Sequence, residues 1–481
     1  MHRPARRLAA LLFALTGLVA ACSEQPSSPT TTSSVSATPA TLSPNGRYLV
    51  EFRQALPSGP RTFSLGAGAR ITREHPEVNL MTVEGLSVAD AQALAARPEV
   101  ATVVADAKLQ WIPAPGTQRS QLYPSGGHHV RVPGTDQSTA LAFPLQWNIT
   151  QIAADRAWSR TPGGRGELVC VLDSGIDPEH PDLAGKIDLA VSFSTDTTFA
   201  GNADPLDYNG HGTGTAGLVS SNGIVIASVA PDVRLCSAKV LGDSGSGSFG
   251  DIFDAIIWAA AVAHADVINM SLGAYIDLRE PGARELVGIL QHVLNFANRK
   301  GAVIVAAAGN EGIDLDHDPR RFLSIPAQLN HVVSVGATGP VLQIDFDQLA
   351  WYSNFGGRSG IDLVAPGGNF DPDPTAPFYD FDLVLTTCSQ YAIPEIQGFD
   401  CELGDYLIEA GTSASAPHVS GAAAVIESAL GGGSSPDRIE QCLENGANRV
   451  GPFRIFGAGR LNVLRGANCG FHDHDRGHER D

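Results

Sequence analysis

Glu167-Leu168-Val169-Cys170-Val171-Leu172 runs directly into Asp173-Ser174-Gly175. A continuous apolar run of this length is what a strand buried on both faces requires, and parallel sheets are built from such strands. Four further runs repeat the pattern: Val233 to Leu241, Val267 to Ser271, Ala302 to Ala308 and Val332 to Ala337. Amphipathic or Ala-rich helical stretches separate them. Residues 144–469 therefore predict an α/β domain whose mostly parallel sheet is covered on both faces. Functional groups in such sheets collect beyond the carboxyl ends of the strands. Asp173 stands at that position.

Two more segments set a polar side chain where an ordered run meets glycine. One is Asn209-Gly210-His211-Gly212-Thr213-Gly214-Thr215-Ala216-Gly217. Its glycines let a helix start closely packed while the imidazole faces a cleft. The other is Gly411-Thr412-Ser413-Ala414-Ser415-Ala416-Pro417-His418-Val419-Ser420-Gly421. There a serine opens an Ala-rich helix, whose N-terminal dipole favours developing negative charge. A serine hydroxyl becomes a nucleophile only when a neighbouring base takes its proton. An imidazole suits that task, and a buried carboxylate fixes its tautomer and stabilises the imidazolium. Taken singly, Asp173 reads as a turn cap, His211 as a core histidine and Ser413 as an N-cap. Together they have the chemistry of a nucleophilic triad.

The three segments, in the order Asp, His, Ser, resemble the signatures of the subtilisin-like serine proteases, the subtilase family. The likeness runs from about Trp147 to Leu464 and implies a subtilisin-like three-layer fold. It assigns Asp173 as the orienting carboxylate, His211 as general base and acid, and Ser413 as the nucleophile of an acyl-enzyme. A fourth segment, Ala306-Ala307-Ala308-Gly309-Asn310-Glu311-Gly312, matches the family's oxyanion element, with Asn310 as the amide donor. The resemblance implies polypeptide substrates bound by strand addition. Ser246, Gly247, Ser271, Leu272 and Gly273 would pair with the peptide, and Ala308 and Gly309 would help wall the pocket for the side chain before the cut. Those walls are small and apolar, so large uncharged side chains are expected there. No cofactor is needed for the chemistry. A structural calcium is implied at Asp182 and Asn222, which match family ligand positions, although the family's early glutamine falls at Phe143. Two further departures are Gly214, where the family often has a second histidine, and an apparent insertion from Ser389 to Gly404.

Residues 1–21 carry Arg3, Arg6 and Arg7 before an apolar run from Leu8 to Ala21, the pattern of a signal peptide. Val19-Ala20-Ala21-Cys22 resembles a bacterial lipobox, which implies a lipid on Cys22 as the only membrane attachment; the alternative is ordinary cleavage after Ala21. The expected location is outside the cytoplasm: a periplasmic or outer-surface lipoprotein, or a secreted protein after processing. Residues 22–46 are Ser, Thr and Pro-rich and read as a tether. Strand-like and helical stretches in 47–112 make a small α/β unit resembling an inhibitor-like propeptide, which implies an autoprocessed zymogen held by its own propeptide. Residues 113–143 read as a linker with the processing site, including His128 and His129 as exposed loop residues. Residues 470–481, with His472, His474 and His478, read as a frayed end.

Apart from Cys22 there are six cysteines, a number compatible with disulfides in an exported protein. Cys388 with Cys401 and Cys442 with Cys469 each close a local loop. Cys170 and Cys236 lie in apolar runs and fit a bridge or two buried thiols equally. A net charge of −19 argues against nucleic acid as a partner, because phosphate binding needs a basic surface. A monomer is expected. Two other readings compete. An inactive subtilisin fold used for binding would have lost a triad member, and none is lost. A lipase would carry Gly-x-Ser-x-Gly around the serine, and Ser415 stands where the last glycine belongs.

Overall fold

The computed structural model describes residues 39–54, 65, 68–113, 120–123, 136–194, 204–371, 379–397 and 400–469. The expected signal peptide, Cys22, most of the tether, His128, His129 and the C-terminal tail lie outside them. The apolar runs near the N-terminus form β1 (Ser43–Phe52), β2 (Arg70–His75), β3 (Leu80–Glu84) and β4 (Val100–Gln110). β1 lies between β3 and β4, antiparallel to both, and β2 pairs with the far edge of β3. A helix at Val88–Ala95 covers this sheet, with Ser87 Oγ accepting from the Asp90 backbone N–H at 3.1 Å. Val50, Phe52, Met81, Val83, Leu86 and Leu94 close the space between helix and sheet. A short strand, β5 (Ser120–Tyr123), follows.

The long apolar runs form β6 (Leu168–Asp173), β7 (Ile187–Ser192), β8 (Arg234–Lys239) and, after a turn, the three-residue β9 (Ser246–Ser248). Next come β10 (Val267–Met270), β11 (Ala274–Asp277), β12 (Val303–Ala307), β13 (Phe322–Ile325), β14 (Val332–Thr338) and β15 (Leu363–Pro366). Seven of these make one sheet in the order β15-β14-β12-β10-β6-β8-β7, parallel at every pairing. Side chains alternate between its faces. Cys170 and Leu172 join a core with Ile252 and Phe253 of the helix Phe249–Trp258 and Leu290 of the helix Ala283–Arg299. Val169 and Val171 join a second core with Val419 and Ala423 of the helix Thr412–Leu430. Each Val, Leu, Ile or Phe among them contributes roughly 1.5–3 kcal/mol when fully buried. The result is three layers.

β16 (Val384–Thr387) and β17 (Tyr406–Glu409) form an antiparallel pair, and β5 adds to the other edge of β17. Cys170 and Cys236 are register partners on β6 and β8 and are bridged, Cα to Cα 4.4 Å. Cys388–Cys401 and Cys442–Cys469 are bridged as well.

The small sheet continues into the large domain. β9 pairs antiparallel with β4, through Lys108↔Ser248, Leu109↔Gly247 and Gln110↔Ser246. This pairing carries β4 five residues beyond the run Val100 to Ala105 that reads as a strand by composition. A buried charge network fastens the junction. Arg47 Nη2 lies 2.6 Å from Asp106 Oδ2, and Arg47 Nη1 lies 2.9 Å from Asp251 Oδ1. Asp106 Oδ1 also accepts from the Gly250 N–H at the start of the helix Phe249–Trp258. Burial opposes the charge on Arg47, but Asp251 and Asp106 outweigh it and hold its pKa raised.

Candidate active site

Asp173 is the last residue of β6, at the carboxyl edge of the sheet. His211 is the first residue of the helix His211–Val219, reached through Gly210. A hydrogen bond of 2.7 Å joins His211 Nδ1 to Asp173 Oδ1, which also accepts from the Ser174 N–H at 2.7 Å. The helix start packs so closely on the strand end that a Cβ at Gly212 would lie 2.1 Å from the Gly175 carbonyl oxygen. Asp207 anchors both sides. Its Oδ1 accepts from Ser174 Oγ and the Gly210 N–H, and its Oδ2 accepts from the Thr213 N–H and hydroxyl. The sequence reading missed Asp207. Its signal was an aspartate two residues before Asn209-Gly210, where an Asx turn satisfies the helix N-terminus.

Desolvation disfavours the charged form of His211, but Asp173, then Glu409 and Asp207, outweigh it and push its pKa up to about 9. The imidazolium is thus the stabilised form. His211 Nε2 is buried and has no hydrogen-bond partner among the described residues. His211 lines a cavity of about 380 Å³ together with Ser413, Asn310, Gly411 and Pro113. Ser413 is the second residue of the helix Thr412–Leu430. Asn310 Oδ1 accepts from the Thr412 N–H and hydroxyl, both at 2.9 Å. That turns the amide nitrogen of Asn310 toward Gly411, where an added Cβ would stand 3.6 Å from it. The other histidine of the serine segment, His418, is structural: its ring contacts Asn148 and the Ala414 carbonyl, and burial lowers its pKa to about 4.

The residues expected to bind peptide divide into two groups. Ser246 and Gly247 pair with Gln110 and Leu109, and the Gly273 N–H donates to the Trp111 carbonyl at 2.8 Å. The Trp111 N–H in turn donates to the Gly245 carbonyl. Trp111 packs edge-on against Phe249 at 5.2 Å, and its indole N–H donates to Gly247 O. Ser271 and Gly309 instead bond to the serine segment: Ser271 Oγ donates to Ser413 O, and the Gly309 N–H donates to Thr412 Oγ. Ala308 O accepts from Ser324 Oγ and Asn354 Nδ2, while Leu272 is buried. The chain's own residues 108–113 thus run along β9 to the cavity. The 389–404 segment packs on the loops behind His211, with Ser389 Oγ on the Asp207 carbonyl and the Gln390 N–H on Asp177.

Asp182 and Asn222 come together, but in another role. Asp182 Oδ1 accepts from the Ile224 N–H, and Oδ2 accepts from the Val225 and Ile226 N–H groups and Tyr406 OH. Asn222 Nδ2 donates to the Pro181 and Ala184 carbonyls. Calcium takes six to eight oxygen ligands. A carboxylate filled by four donors does not fit that ion, and no step below depends on one.

The fold and the comparisons agree on a serine-type hydrolase built on a parallel sheet. The Subtilase family profile matches residues 164–459. The chain belongs to the subtilase family of serine-type endopeptidases. It is 35% identical over 322 residues to the thermophilic serine proteinase of Bacillus sp. (strain AK1), covering 66% of this chain and 65% of that protein. It is 32% identical to subtilisin Savinase of Lederbergia lenta, covering 67% of this chain and 98% of that one. The epidermin leader peptide processing serine protease of Staphylococcus aureus shares the fold, with a TM-score of 0.69 at 24% identity over 88% of this chain and 98% of that one.

The Asp182 geometry predicts the effect of metal removal. Asp182→Ala strips the acceptor from buried backbone donors and should lower stability by about 1–3 kcal/mol. The loss in melting temperature should be equal in calcium and in chelator. A loss seen only in calcium would mean that Asp182 holds the ion.

Proposed function

We propose that the chain is an exported serine endopeptidase, made as a zymogen, that cuts polypeptides through an acyl-enzyme on Ser413. The observation that carries this reading is the unpartnered Nε2 of an imidazole tied to Asp173, facing the cavity that Ser413 lines. Ser413 Oγ bonds to the substrate carbonyl carbon as its proton passes to His211 Nε2. The Asn310 amide and the Ser413 backbone N–H stabilise the oxyanion. The C–N bond then breaks, and His211 gives the proton to the departing amine. Water, deprotonated by His211, attacks the acyl carbonyl; the C–Oγ bond then breaks and His211 returns that proton to Ser413 Oγ as the acid product leaves.

Residues 47–112 act as the intramolecular inhibitor in this reading, because residues 108–113 fill the strand-addition edge that a substrate would use. Residues 1–21 direct export and Cys22 carries a lipid. No described helix is long and apolar enough to cross a membrane.

Ser413→Ala should abolish labelling by a fluorophosphonate and reduce turnover on the order of 10⁶-fold, the size of the equivalent loss in a subtilisin. Labelling that persists undiminished would refute the assignment. Arg47→Ala leaves Asp106 and Asp251 buried without their cation, a change that typically costs about 3–5 kcal/mol. Activity on an added peptide should therefore appear earlier after purification than in the unaltered protein. An unchanged lag would count against inhibition by this segment.

A further inference from the structure

Glu409 brings a carboxylate into the cleft, and this side chain accepts no hydrogen bond among the described residues. It closes β17 and lines the cavity that holds His211 and Ser413. Burial pushes its pKa up to about 7, opposed by His211 and reinforced by Asp173. A half-buried acid with no protein donor is costly. It is relieved by protonation or by a cation that arrives with a ligand.

The remaining walls of the cavity favour the cation. Trp351, Tyr352 and Phe370 line it beside Glu409. Trp351 and Phe370 meet edge-on at 5.2 Å, and Phe370 and Tyr352 are stacked. Tyr352 OH donates to the Gly367 and Gly368 carbonyls, which holds its ring in place. Trp351 is 59% exposed, so its ring is open to an incoming group. The open Trp351 ring in the same cavity as one carboxylate matches a guanidinium or ammonium group, through cation–π attraction and charge. Gly214 makes the room: a Cβ there would stand 3.1 Å from Thr386 Cγ2 and 3.5 Å from Glu409 Oε2. The departure from the second histidine of the family motif thus falls beside this acid.

The path of the chain says which part of a substrate meets the cavity. Residues 108–113 run along β9 toward Ser413, and downstream β5 pairs antiparallel with β17, with Ser120 opposite Glu409. A peptide crossing the cleft in this direction meets β9 before the scissile bond and β17 after it. We propose that the Glu409 cavity is the leaving-side specificity subsite and takes an Arg or Lys side chain located just beyond the cut. The inference rests on the reading of Ser413 as nucleophile.

The test uses the purified protein and fluorogenic peptides that differ only at the residue after the cut, with cut positions read by mass spectrometry. The Arg peptide should exceed the Gln peptide in kcat/KM by about tenfold or more. In Glu409→Gln that ratio should fall to about one, and Trp351→Ala should lower it part of the way. A ratio near one in the unaltered protein, or one that survives Glu409→Gln, overturns the subsite. Ser413→Ala separates the two readings. Hydrolysis that persists in this variant refutes the nucleophile and not the subsite. Peptide binding to the same variant should still favour Arg over Gln by a similar factor, and equal affinities would overturn the subsite alone.

Discussion

A 2.7 Å hydrogen bond between Asp173 and His211 links the end of a parallel strand to the first turn of a helix. Holding a carboxylate there is costly unless donors surround it. Asp173 Oδ1 has the His211 ring and the Ser174 N–H, while Oδ2 is buried with no partner among the described residues. Asp207 binds the first turn of the His211 helix and the Ser174 hydroxyl at once, so the two loops cannot drift apart. Lys239, at the end of the adjacent strand β8, donates to the Ser174 and Leu206 carbonyls, both at 2.8 Å, and so supports both loops from beneath. The close approach of Gly212 to Gly175 forbids a side chain at the contact. Gly212 is thus there for the distance between Asp173 and His211, and the serine helix lines the same cavity as His211.

The cleft has two open strand edges, and the chain occupies both. β4 covers β9 on one side, and β5 covers β17 on the other. Main-chain pairing of this kind gives affinity without reading sequence, so discrimination falls to the side-chain cavities between the edges. A peptide added at either edge would use the same N–H and C=O groups. The Arg47 network fastens the β4 side, because Asp106 and Asp251 are buried acids from the two sides of the junction that share one cation.

Much of this was legible in the sequence, for identifiable reasons. The buried strands announced themselves as unbroken apolar runs, and the motif residues Asp173, His211 and Ser413 marked the carboxyl edge of the sheet. Local loops made Cys388–Cys401 and Cys442–Cys469 readable. Cys170–Cys236 was not, because neighbouring strands β6 and β8 are brought into register only by the tertiary fold. The same limit hid β5, whose partner lies about 280 residues downstream in β17. Asp182 shows a third kind of limit. Its motif carried over from the family, but the role of a carboxylate depends on whether donors or an ion face it, and that depends on the course of the Asn222 to Ile226 backbone.

That loop also draws on two glutamines that precede the first strand of the large sheet. Gln137 Oε1 accepts from the Ser228 N–H and its Nε2 donates to the Ser221 carbonyl, while Gln146 Oε1 accepts from the Ala227 N–H and its Nε2 donates to the Ala227 carbonyl. With Asp182, these side chains satisfy the polar groups of a buried loop that has little regular structure of its own. Buried backbone groups without partners are costly. Gln137 is therefore part of the folded enzyme, although composition groups it with the linker of residues 113–143. Gln137 and Gln146 thus serve the same buried loop, one from each end of the short helical turns between them.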